Sequence, residues 1–91
     1  MIARVLRVTA RTEHEALAMA ALWSSEIGPF ERARPGFQGG VLLREGPDLL
    51  AVSCWDGMRA AAALDPLYGR VAASPLERLL ARPLTCRFRA L

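Results

Sequence analysis

Apolar and polar positions divide this chain into short blocks with two different periods. Ile2 to Thr9 alternates imperfectly, with Ile2, Leu6 and Val8 on one face and Ala3, Val5 and Arg7 on the other, which predicts a first strand covered on both sides. Beyond it the period becomes that of a helix: Ala16, Met19, Ala20, Trp23, Ile27 and Phe30 form one apolar stripe, with Glu13, Glu26 and Arg34 outside it. Thr12-Glu13-His14-Glu15 matches a capping box, in which the threonine hydroxyl and the second glutamate carboxylate each satisfy a free backbone amide. Pro29 has no backbone donor, so a kink or fresh turn is expected near Gly28 before Pro35-Gly36 closes the segment.

Phe37 to Arg44 reads as the second strand, with Gly39-Gly40 marking a bulge or a close backbone approach. Glu45-Gly46-Pro47-Asp48 is a hairpin-length loop, which makes this strand the antiparallel neighbour of the next. That third strand, Leu49 to Trp55, is apolar at nearly every position and reads as buried on both faces. Met58 to Leu64 predicts a short helix ended by Asp65-Pro66. Leu67 to Ala73 continues it as a broken helix, and Ser74-Pro75 opens another turn. After Arg82-Pro83, Leu84 to Leu91 predicts a last strand with Leu84, Cys86 and Phe88 inward and Thr85, Arg87 and Arg89 outward.

The order β-α-β-β-α-β predicts an α+β, ferredoxin-like domain with a four-stranded antiparallel sheet ordered fourth, first, third, second. Two helices cover only one face of such a sheet. The other face, with apolar side chains expected from Ile2, Leu6 and the central strand, predicts a partner surface, and a second copy packed back to back is the simplest closure.

Composition narrows the class. The 91 residues, with no repeat or linker, predict one domain over 1–91, able to bury only roughly two-thirds of its unfolded surface. At 53% hydrophobic and 23% charged the chain is globular rather than disordered, and no apolar run approaches the ~20 residues of a membrane span. Arg4 and Arg7 interrupt the apolar run that a secretory signal needs, so the cytoplasm is the expected location. All twelve basic residues are arginine, spread along the chain rather than clustered, which argues against nucleic acid as partner. The RNA-recognition domain shares this topology but needs exposed aromatics on its first strand, and none is present.

Candidate chemistry is sparse. Cys54 and Cys86 have no metal or redox spacing, and with the first strand between them they would sit about 9–10 Å apart, so both are expected as free thiols. A single histidine, His14, in the first helical turn excludes a Ser-His-Asp set. No phosphate loop or carboxylate cluster with metal spacing occurs. Arg7, on a strand expected to be covered, needs an acceptor, with an internal Asp or Glu preferred over a bound carboxylate or phenolate.

Ile27-Gly28-Pro29-Phe30 followed by Arg34-Pro35-Gly36-Phe37-Gln38-Gly39 resembles the P-x-x-x-x-x-P-G-F-x-G passage of the antibiotic biosynthesis monooxygenase (ABM) family. Val52-Ser53-Cys54-Trp55-Asp56 likewise resembles that family's strand end before the second helix. The resemblance implies a dimeric α+β barrel: a homodimer whose sheets face each other, with a pocket in each subunit between sheet and helices. Haem-degrading relatives carry an Asn late in the first strand and a His after the second helix. Here Arg7 stands near the first place and no His lies between Gly57 and Pro83, which disfavours haem degradation.

Cofactor-free oxygenases of polycyclic aromatics remain the implied activity, with no metal, haem or flavin. On that resemblance Trp55 and Tyr68 are the candidate catalytic residues and Arg7 and Trp23 the candidate substrate-binding residues. The alternative is a non-catalytic ligand-binding or stress-related homodimer in which both tryptophans only pack.

Overall fold

A computed structural model describes residues 1–66, 80–83 and 85–91, so the broken helix expected after Pro66, Tyr68 within it, and Leu84 lie outside the described residues. Strands β1 (Ile2–Thr9), β2 (Phe37–Glu45), β3 (Asp48–Trp55) and β4 (Thr85–Ala90) form one antiparallel sheet in the order β2-β3-β1-β4, the order expected. Helices α1 (Glu13–Leu22), α2 (Gly28–Arg32) and α3 (Met58–Ala62) pack on one face of it. Leu6, Val8, Leu49, Ala51 and Trp55 from the sheet meet Ala16, Met19, Ile27 and Ala61 from the helices in one core. This is the ferredoxin-like α+β architecture.

The central strands are covered on one side only. Along β3, Leu49, Ala51, Ser53 and Trp55 are buried beneath the helices, whereas Leu50, Val52 and Cys54 point to the opposite face and are half-buried. Leu6 belongs to the helix-covered core, at 2% exposure, and Ile2 packs against it, so neither lines the open face as expected. Alternation along β1 puts Ala3, Val5, Arg7 and Thr9 there instead. With them stand Val41 and Leu43, 53% and 52% exposed.

The first helical segment departs from its expected phase. Between α1 and α2 the backbone makes a π-helical turn, Trp23–Ile27, in which the Gly28 N–H donates to the Trp23 carbonyl. Pro29 follows, with no N–H to donate and a ring that crowds the preceding turn, and the widened turn accommodates it. A π turn spends one extra residue, so positions beyond it rotate by roughly 100° relative to a continuous α-helix. Ala16, Met19 and Ile27 are buried as expected. Phe30 is not: it is 44% exposed, under the Arg34 guanidinium, and Glu31 takes the inward place at 6% exposure.

At the helix start, Thr12 Oγ1 accepts from the Glu15 N–H at 3.1 Å. The return half of the expected capping box is not made: Glu15 Oε2 is buried without a hydrogen-bond partner. The β2–β3 hairpin is tighter than expected, with only Gly46-Pro47 between strands and Gly46 at φ +58°. The bulge falls at Phe37/Gly39. Gly36, at φ +85°, sits against α3 so closely that an added Cβ would lie 2.7 Å from that of Ala60.

Candidate active site

Where the π turn and α2 cross the β2 side of the sheet they leave a cleft of about 550 Å³, walled by Trp23, Gly28, Glu31, Phe37, Gly40 and Leu42. That volume suits a small organic molecule. Its chemistry is an aromatic wall with one carboxylate, one guanidinium and a hydroxyl: Trp23 is half-buried on the π turn, Phe37 starts β2, Glu31 is brought inward by the phase slip, and Arg32 and Ser24 complete the lining. Gly39 and Gly40, at the bulge, keep that wall free of side chains.

The residues singled out from sequence are not gathered in one place. Trp55 is 1% exposed and lies in the core rather than on the cleft wall; its indole N–H donates to Ser53 Oγ at 2.8 Å. Its ring meets Phe37 edge to face, centroids 5.3 Å apart, so it supports a cleft residue from behind. Trp23 does line the cleft. Arg7 is exposed on the opposite face of the sheet, and among the described residues it forms no ion pair with an internal carboxylate, although Glu45 and Asp48 line a shallow pocket with it. His14 is exposed.

Among the described residues, the buried cation is Arg4. It is 2% exposed, donates to the Ala61 carbonyl at 2.7 Å, pairs with Asp65 at 2.8 Å, and lies over the Phe88 ring at 5.2 Å. Cys86 is half-buried, and burial pushes its thiol up from the ordinary range; the Arg4 charge opposes that shift and Asp65 adds to it. Both cysteines are free, and they face opposite sides of the sheet: Cys54 pairs with Ala3 and Cys86 with Leu6.

No family model and no curated protein matches the chain. Solved structures do. A monooxygenase from the gene ActVA-Orf6 of Streptomyces coelicolor, in complex with nanaomycin D, is similar over 99% of this chain and 86% of its own, at 16% identity and TM-score 0.79. Rv0793 from Mycobacterium tuberculosis is 27% identical over 99% of this chain and 93% of its own, TM-score 0.72. SnoaB, a cofactor-independent oxygenase from Streptomyces nogalater solved as its N63A mutant, is 22% identical over 99% and 91%, TM-score 0.68. The fold is that of the antibiotic biosynthesis monooxygenases.

On this monooxygenase fold two residues that sequence reasoning missed carry the polar chemistry of the helix-covered side. Glu31 was hidden by the phase slip, for which Pro29 was the only signal. Arg4 was legible: strict alternation from Ile2 through Leu6 and Val8 places it on the covered face. None of the helices is long and apolar enough to cross a membrane, among the described residues.

Proposed function

We propose that the chain is a cofactor-independent monooxygenase acting on a small hydroxylated aromatic molecule, and that it works as a homodimer. The observation that carries the reading is the cleft in which Trp23 and Phe37 face the buried carboxylate of Glu31. The rings hold an aromatic substrate away from water, and Glu31 takes the phenol proton. The electron-rich phenolate then reduces dioxygen directly. One oxygen atom enters the ring as a new carbonyl, and the other leaves as water with the two hydrogens lost from the phenol and the ring carbon. Dioxygen is the only co-reactant.

In this reading Trp23 stacks on the substrate and Trp55 positions Phe37. Arg7, on the other face, takes no part. Oxygen uptake with a panel of polycyclic phenols and quinols tests it. Glu31→Gln is expected to lower kcat about a hundredfold, within the range of general-base losses. Trp23→Ala is expected chiefly to raise KM. Uptake with no member of the panel sinks the enzyme reading.

The second reading, a ligand-binding dimer without catalysis, is favoured by the packed state of Trp55, the residue that matches the oxygenases' tryptophan. Tight binding of a panel member without uptake selects it.

Self-association rests on the open sheet face, where Val41 and Leu43 are more than half exposed beside Val5, Leu50 and Val52. Two such faces pack with little exposed apolar surface left. Sedimentation at micromolar concentration should return a dimer, and Leu43→Glu should weaken it; a stable folded monomer of the unaltered chain would overturn the dimer. The free thiols of Cys54 and Cys86 agree with a cytoplasmic setting.

A further inference from the structure

Charge is not spread evenly over the open sheet face. One corner, at the β2–β3 hairpin, is acidic: Glu45 pairs with Asp48, and alternation along β2 and β3 turns both to the open side. The diagonally opposite corner, on β4, is basic, with Arg87 beside Val5 and Arg89 beside Ala3. Between them runs an apolar band of Val41 and Leu43, Leu50 and Val52, and Val5. Arg7 shares a shallow pocket with Glu45 and Asp48 of its own chain. Arg87 and Arg89 have no such neighbour, and among the described residues neither they nor Glu45 are in an ion pair.

Two copies packed face to face are related by a two-fold axis lying between the sheets, and its direction decides what meets what. An axis along the strands lays β2 on β4, so the apolar Val41 falls on Arg87. An axis across the strands lays each β4 on its twin, and arginines face arginines. A diagonal axis, passing from Gly39 over Val52 towards Arg7, avoids both. It seats Glu45 and Asp48 on Arg89 and Arg87 of the second copy, and Leu50 on Val5. Symmetry makes each contact twice, and the strands of the two sheets cross at a wide angle, as in orthogonal sheet packing. Arg7 then lies near its own twin, where Asp48, its diagonal neighbour in the same chain, offsets the repulsion.

We propose that the second copy seats its Glu45–Asp48 corner on the Arg87–Arg89 edge of β4, and that this charge match sets the orientation of the dimer. It rests on the homodimer reading and adds the contact that selects one packing of the two faces, as complementary charge does at other interfaces.

Sedimentation of the full chain over a dilution series reads the dimer constant. Glu45→Arg and Arg89→Glu should each weaken the dimer about tenfold, since each reverses two contacts, with a smaller effect at high salt. Arg89→Glu lowers the net charge of +3, so general repulsion between copies would predict the opposite sign for it. Combined in one chain, the two reversals should restore the dimer. Residues 45 and 89 of a single chain stand about 25 Å apart at opposite corners of the sheet, so the rescue reports a contact between copies. Arg59→Glu, the same charge change on exposed α3, should leave the constant nearly unchanged, and circular dichroism checks that every variant is folded. A dimer indifferent to the single reversals, or not restored by the pair, overturns the orientation and leaves the homodimer standing. A monomeric unaltered chain overturns both.

Discussion

Replacing Trp55 by alanine should lower the stability of the fold by about 3–5 kcal/mol, the cost of deleting a fully buried indole from a packed core. The ring is 1% exposed and joins β3 to the Ile2 end of β1 and to Phe37 of β2. Trp55→Phe keeps most of the packing area but removes the N–H that Ser53 accepts. Ser53 is itself 5% exposed, so about 1–2 kcal/mol is expected there. Urea unfolding followed by circular dichroism measures both. Trp23→Ala, at a half-buried position, should shift the unfolding midpoint far less while altering ligand affinity. If Trp55→Ala instead left stability intact and abolished turnover, the indole would be a reacting group and not a support.

The Arg4–Asp65 pair should behave asymmetrically. Asp65 has a side chain 57% exposed, a position where substitutions are ordinarily mild, yet removing it takes a counter-charge from a guanidinium that is 2% exposed. Asp65→Asn is expected to cost about 2–3 kcal/mol, less than for a fully buried pair because water reaches the Asp side. Arg4→Met removes the buried charge, keeps an unbranched stem against Phe88, and takes the donor from the Ala61 carbonyl, a bond worth about 1–2 kcal/mol. In the Arg4→Met background Asp65→Asn should then be nearly neutral. A double-mutant cycle by chemical denaturation reads the coupling, and additive effects would refute it.

Strand order, hairpin, bulge and α1 cap were legible because each depends on local signals: a period of two, a Gly-Pro turn, a glycine pair, a threonine before a helix. Whether a strand is covered on one face or both was not local. Leu49 to Trp55 is apolar at nearly every position both where the helices cover it and where a second copy is proposed to, so the two environments look alike in one chain's sequence. Arg7 drew attention as the cation on a central strand, when parity assigned the covered place to Arg4. The cleft was the least legible part. Its carboxylate faces inward only because of the π turn, and a stripe counted at constant helical spacing leads to Phe30 instead.

That turn makes the number of residues between α1 and α2 matter as much as their identity. A chain one residue shorter between Trp23 and Ile27 would close as an unbroken α-helix and leave α2 in its present phase, with Glu31 inward and Phe30 outward. Were the full-length segment instead to close as plain α-helix, α2 would turn by roughly 100°, carrying the Phe30 ring inward and the Glu31 carboxylate out to water. The extra residue of the π turn thus selects a carboxylate over a hydrophobic plug, without changing a single side chain in the cleft wall.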